Sequence, residues 1–366
     1  MKRGRLAGLD GVRGLAAAYV VVNHVFERAF PGYPHDHAPW WAGWFIFGRF
    51  AVVVFIVLSG FSLGLSPARH GWRLDSVVRF AGRRARRILP AYYAALAFSL
   101  AIAWYVVPQP GQGRPDTRSV VVNGLLVQNI VRASSPNRAF WSLAVEAQLY
   151  VVFPLLILVV RRVNAAAMVA AVTLVVSAVG IAAPHDPGLH AFVNQSPPEL
   201  AALFAIGIAA AGLVGARGSR RWACLALSLA APVLVLIWWR GAVWTLGPNL
   251  MWVDLALGPG IACLLVALAS GRPLPLVRLL DSRPIRTLGL SSYSLYLLHE
   301  PIVIVVYRRF VLERYHHGPT AFLVAVGIAL PLSIAVAWLF ATLFERPFLR
   351  RQRQVEQVLA PARLGL

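Results

Sequence analysis

The sequence predicts an all-α polytopic membrane protein of about ten transmembrane helices with both termini in the cytoplasm. Composition is the first observation behind that reading: of 366 residues 58% are hydrophobic and 13% charged, with a mean hydropathy of +0.66. Apolar runs recur along the whole length, near 10–28, 43–65, 88–107, 141–160, 163–183, 198–216, 222–239, 250–270, 290–312 and 320–344. An even number of spans puts both ends on one side. Charge placement is the second observation. The net charge is +21, and 25 of the 35 Lys and Arg fall in segments that alternate to the N-terminal side, which is cytoplasmic by the positive-inside rule. These arginines have no soluble domain to cluster in, so the lipid bilayer and not nucleic acid is the expected partner. The expected location is the inner (plasma) membrane, multi-pass, with residues 1–366 forming one domain and no extracytoplasmic domain appended.

The first span carries Asp10, Arg13, His24 and Glu27. Ionisable side chains at membrane depth cost about 2.5–3.5 kcal/mol on insertion scales, so they face the protein interior and mark function. Eleven residues bring His24 back to within roughly 20° of Arg13 and about 16 Å further along the helix. Glu27 follows His24 by one turn and is placed to orient it. Lys2, Arg3 and Arg5 before an apolar stretch also resemble a signal peptide, but Arg13, Asn23 and His24 interrupt that stretch. Trp40, Trp41 and Trp44 then read as an interfacial aromatic belt.

The second span ends with Ser59, Gly60, Ser62 and Gly64, and after it Arg79, Arg83, Arg84, Arg86 and Arg87 run into Ile88, Leu89 and Pro90. Such a run is either a topology signal touching anionic lipid or an anion clamp, since forked guanidinium groups suit phosphate. The apolar segment 120–131 is too short to span and is expected to be re-entrant or interfacial. The fourth span opens with Ser142, Glu146 and Tyr150 at i, i+4 and i+8, a polar ridge on an apolar helix. Cys224 and Cys263 lie in apolar spans and are expected to be small core residues. Ser292, Tyr296 and His299 share a face of the ninth span. No repeat at a period of 20–50 residues is present, which counts against an inverted-repeat transporter. No zinc signature, phosphate-binding glycine loop or nucleophile elbow occurs, and no metal is expected.

Together these segments resemble the acyltransferase-3 family of bacterial integral membrane O-acyltransferases. The resemblance rests on Leu9–Gly14 followed by His24, on Phe55–Phe61, on the arginine cluster ending at Pro90, on Trp141–Tyr150, on Ser292–His299, and on Glu345, Arg346 and Pro347, in that order along nearly the whole chain. It implies an enzyme that takes cytoplasmic acyl-CoA, commonly acetyl-CoA, and acylates hydroxyls of carbohydrates or other acceptors. Carried over by position, the family's Arg-x10-His pair falls on Arg13 and His24, its basic motif on Arg83, Arg84, Arg86 and Arg87, and its acidic residue on Glu146. Members often carry a second acid next to that glutamate, and here Ala147 stands instead.

On that resemblance the arginine cluster is expected to hold the anionic part of the donor, and Ser59 and Gly60 to let its thin arm pass close to backbone. His24 is the expected general base, with Glu146 or Glu27 orienting it. Ser142, Tyr150, Tyr296 and His299 are the remaining candidates for contacting acyl carbonyl or acceptor. A covalent acyl-histidine intermediate stays open, as does the oligomeric state. The expected acceptor is a cell-envelope glycan or a macrolide-like glycosylated metabolite. A transporter or flippase for a lipid-linked sugar is the alternative, using the same intramembrane charges to gate substrate.

Overall fold

A computed structural model of the chain describes Leu6, residues 8–215 and residues 219–348. Lys2, Arg3, Arg5, Arg217, Arg350, Arg351, Arg353 and Arg363, counted above for topology, lie outside the described residues. Among the described residues every regular element is helical: α1 (Leu9–Ala29), α2 (Arg49–Arg69), α3 (Val77–Tyr105), α4 (Thr117–Gly124), α5 (Phe140–Arg162), α6 (Ala165–Ala182), α7 (Pro187–Gln195), α8 (Glu199–Ala211), α9 (Ser219–Leu246), α10 (Leu250–Ala269), α11 (Leu274–Leu280), α12 (Arg283–Leu290), α13 (Ser292–Val306), α14 (Leu312–Tyr315) and α15 (Pro319–Phe340).

Seven of the described helices are long and apolar enough to cross a membrane, namely α2, α3, α5, α6, α9, α10 and α15. The three other expected spans fall on α1, α8 and α13, and each misses for a physical reason. α1 has the length, 21 residues, but carries Asp10, Arg13, Glu27 and Arg28. α8 has 13 residues and α13 has 15, short of the roughly 20 that cross a bilayer. These helices are the most enclosed: 13 of the 15 residues of α13 and 10 of the 13 of α8 are buried. By contrast α6 and α9 bury only 11% of their apolar windows within the molecule. Helices surrounded by other helices do not need to present a full apolar length to lipid.

Packing follows from small residues at helix crossings. α2 lies against α8 so closely that a Cβ on Gly60 would sit 2.2 Å from the Phe204 carbonyl oxygen, and one on Gly207 would sit 2.1 Å from that of Val57. In the same way Gly14 and Gly289 hold α1 against α12. Apolar interhelical packing inside a membrane relies on this close approach, because lipid itself offers no hydrophobic drive. α1 also packs against α2, α13 and α15 and so runs through the middle of the bundle.

Several expectations are sharpened or corrected. α3 begins at Val77, ahead of the span start expected at residue 88, so Arg79 to Arg87 sit on its first turns, with Ser76 capping the helix by accepting from the Arg79 amide at 3.3 Å. Segment 120–131 forms the short α4 and the turns after it, held to α3 where Tyr92 donates to the Asn123 carbonyl at 2.7 Å. Cys224 is exposed on α9 and Cys263 half-buried on α10, so Cys224 is not a core residue; α9 faces outward along most of its length. Trp40, Trp41 and Trp44 are exposed, consistent with an interfacial belt.

Candidate functional site

The candidate side chains fall into two centres along α1. At the arginine end a cavity of about 220 Å³ enters the bundle between α1, α2, α3, α5 and α13. Arg87 and Leu290, both exposed, form its outer end, while Val52, Leu143, Ser142 and Tyr296, all buried, form its inner end. From Leu63 to Val52 on α2 it extends eleven residues, about 16 Å along the helix axis.

Three guanidinium groups, those of Arg13, Arg84 and Arg87, line this cavity. Arg13 donates to Ser62 Oγ at 2.8 Å and pairs with Asp10 at 3.3 Å. The Arg84 Nε is buried with no hydrogen-bond partner, a donor in want of an acceptor. Deeper in, Ser59 Oγ donates to Glu146 Oε1 at 2.8 Å, and the Tyr150 hydroxyl donates to the same oxygen. Ser142 Oγ and Tyr296 Oη are 2.6 Å apart. Glu345 closes one wall, held by Ser294 Oγ at 2.9 Å.

The second centre lies eleven residues along α1 from Arg13. His24 Nδ1 is 3.2 Å from Glu27 Oε2 and 3.4 Å from Glu300 Oε2. An ionised carboxylate only accepts, so Nδ1 carries the proton and Nε2 is left as the basic nitrogen. Arg28 completes the centre, donating to Glu300 Oε1 at 2.8 Å and to the His24 carbonyl at 2.8 Å. The His299 ring stacks on that of His24 with centroids 5.1 Å apart. Its Nδ1 donates to the Tyr296 carbonyl at 2.8 Å, leaving a fully buried Nε2 without a partner. The flank away from the cavity opens outward, where the Glu27 and Arg138 side chains are 30% and 51% exposed and 3.9 Å apart.

The structure therefore separates residues that the sequence grouped. Arg13 and Glu146 line the cavity, and His24 does not. Glu146 is taken up by Ser59 and Tyr150, so of the two expected orienting carboxylates only Glu27 reaches His24. Ser59, Ser142, Tyr150 and Tyr296 line the cavity as expected of donor-side or carbonyl-side groups, whereas His299 joins His24. Gly60 faces α8 and not the cavity, because its missing side chain makes room for the Phe204 carbonyl. Of the basic motif, Arg84 and Arg87 reach the cavity; Arg83 does not line it, and Arg86 folds back to the Gly82 carbonyl at 3.1 Å.

Sequence reasoning passed over Glu300, the carboxylate that joins Arg28 to His24. Its only signal was an acid directly after His299 in an apolar span. It also passed over Arg49, which donates to Glu199 Oε1 at 2.5 Å and Asp254 Oδ2 at 2.9 Å and lies over the Trp141 ring. Among the described residues His24, His299 and Glu300 bring ligand-capable atoms within 4.8 Å of one another. Arg28 on Glu300 competes with a cation there.

An all-helical bundle with seven membrane-length helices, an arginine-lined cavity and a buried histidine–carboxylate centre is an integral membrane protein with an internal polar site. The chain belongs to the acyltransferase-3 family, described as an acyltransferase domain, whose match covers residues 6–342. It is 30% identical over 167 residues to "Putative membrane-bound transacylase BcsY" of Komagataeibacter xylinus, covering 41% of this chain and 36% of that protein. It is 29% identical over 164 residues to "O-acetyltransferase OatA" of Staphylococcus aureus, covering 42% of this chain and 24% of that protein. Against "Putative peptidoglycan O-acetyltransferase YrhL" of Bacillus subtilis it is 29% identical over 203 residues, 50% of this chain and 29% of that protein. The matched stretches thus span well under half of these relatives. No solved structure matches the chain.

Proposed function

We propose that this protein moves an acyl group, acetyl above all, from acyl-CoA to a hydroxyl of a carbohydrate or glycosylated acceptor, with His24 as general base. The arginine end faces the cytoplasm in this reading, and the donor enters there. One observation carries it: the arginine-lined cavity and the His24 centre approach each other from opposite ends of the bundle, along one helix.

The cavity suits the donor. Its mouth carries three guanidinium groups, one with an unpartnered buried N–H, matched to phosphate oxygens. Its volume of about 220 Å³ takes a thin acylated arm and leaves the nucleotide at the surface. The donor supplies an acyl thioester, and the chain supplies orientation and proton handling. Ser59, Ser142 and Tyr296 present hydroxyls along the cavity for the amides and carbonyl of the arm.

At the second centre the Glu27 carboxylate fixes the His24 tautomer, so Nε2 takes the proton of the acceptor hydroxyl as its oxygen attacks the acyl carbonyl. The C–S bond breaks, and the proton on Nε2 passes to the departing thiolate. Glu27 and Glu300 stabilise the transient imidazolium, as a carboxylate does in triad-like sites. The half-exposed Glu27 and Arg138 offer a carboxylate and a guanidinium to sugar hydroxyls on the acceptor side.

The reading is tested by giving purified protein labelled acetyl-CoA, propionyl-CoA and succinyl-CoA with a panel of peptidoglycan fragments, sugars, glycolipids and macrolides. Acetylated product with one free thiol per transfer is expected. Consumption of none of the donors, with every acceptor present, would refute it.

A further inference from the structure

The cavity stops one helical turn short of His24. Neither His24 nor His299 lines it; the last residue of α13 to do so is Tyr296, three positions before His299. The Tyr296 ring is held from several sides. Its hydroxyl lies 2.6 Å from Ser142 Oγ, its ring meets Phe55 edge-on with centroids 5.5 Å apart, and its other flank rests against His299 at 5.6 Å. Ser142 and Phe55 themselves line the cavity, so these three side chains form its floor. A thioester arm entering past the arginines meets the Tyr296 ring before it meets His24.

The floor separates two kinds of space. On one side lie the arginines and the narrow cavity; on the other lies a histidine with charged neighbours, open toward Glu27 and Arg138. A thioester exposed to water from the acceptor side is lost by hydrolysis: water adds to the carbonyl, the C–S bond breaks, the acyl group leaves as a carboxylic acid, and the thiolate takes the remaining proton. A closed floor prevents that side reaction until an acceptor hydroxyl is in place.

Resting on the reading that acyl-CoA fills the cavity and His24 serves the acceptor, we propose that Tyr296 is the movable partition between donor cavity and transfer centre. Its latch is the single hydroxyl–hydroxyl bond to Ser142. In the closed position the ring limits the depth open to the acyl group, favouring a short chain. Release of the Ser142 bond lets the ring turn aside, and the carbonyl then reaches His24.

The test has two arms. In the first, His299→Cys is introduced into a Cys224→Ser, Cys263→Ser background in sealed membrane vesicles. An anionic, membrane-impermeant methanethiosulfonate is added to the face on which Arg87→Cys labels. With Tyr296 intact, His299→Cys should label slowly; Tyr296→Ala should speed it by about tenfold or more, and the milder Ser142→Ala should give a smaller rise. Equal labelling with and without Tyr296 overturns the partition, whatever the donor is. In the second arm, Tyr296→Ala should raise the CoA released per acetyl transferred by about tenfold, and Tyr296→Phe, which keeps the ring but loses the latch, should give a smaller rise that matches Ser142→Ala. An unchanged ratio in Tyr296→Ala overturns the protective role. A protein that consumes no acetyl-CoA at all refutes the acyl-CoA reading instead, and the labelling still decides the partition.

Discussion

His24 is held by three charged groups: a carboxylate from its own helix, a second from α13, and the guanidinium of Arg28 bound to the latter. His24→Ala should therefore lower acyl transfer by about 10²–10⁴-fold, the usual contribution of a positioned general base, while the protein remains monodisperse in detergent. Glu300→Ala is expected to do something different, since it strands the largely enclosed Arg28. Removing one partner of a buried pair costs about 3–5 kcal/mol, to be read as a loss of thermal stability in detergent. Arg13 and His24 were legible in the sequence because helical periodicity alone puts them on one stripe. The wider partnership was not. Glu300 lies 272 residues from Arg28, and Glu146 turns to Ser59 and Tyr150, choices that depend on how helices meet.

At the scale of the element, α3 carries the basic motif on one turn after another, and helix geometry sorts it. Arg84 and Arg87 are three apart and share a face toward the cavity, whereas Arg86 returns to its own helix. Arg84→Ala and Arg87→Ala should each raise the KM for acyl-CoA by roughly tenfold or more, as expected for a lost hydrogen bond to a charged group. Arg86→Ala should leave that KM within about twofold, and an equal effect at all three positions would contradict the sorting. On α2, Gly60→Val should destabilise the protein by about 1–3 kcal/mol or prevent its assembly, because the added carbons meet the α8 backbone. The sequence marked the glycine as notable yet assigned it to the donor path. Whether a glycine makes room for a ligand or for another helix is settled by the neighbour, not by the motif.

For the whole molecule, each of the ten apolar runs falls on a helix of the described residues, but length and composition support seven of them as spans. α8 and α13 are too short to span and are enclosed by other helices, while α1 has the length but carries the site's charges. The same enclosure explains the Arg49, Glu199 and Asp254 cluster, which ties α2, α8 and α10 together. Arg49→Leu leaves two buried carboxylates without their counter-charge, and a loss of about 3–5 kcal/mol in detergent stability is expected. Two centres reached from opposite ends are a property of the bundle and of no single segment. The most direct measurement of that arrangement compares acetyl-CoA binding and acetyl transfer in the same purified variants. His24→Ala should bind acetyl-CoA as the unaltered protein does and transfer about 10²–10⁴-fold more slowly, while the Arg84→Ala, Arg87→Ala double variant should lose binding. Loss of donor binding in His24→Ala, or full transfer by it, would contradict the account.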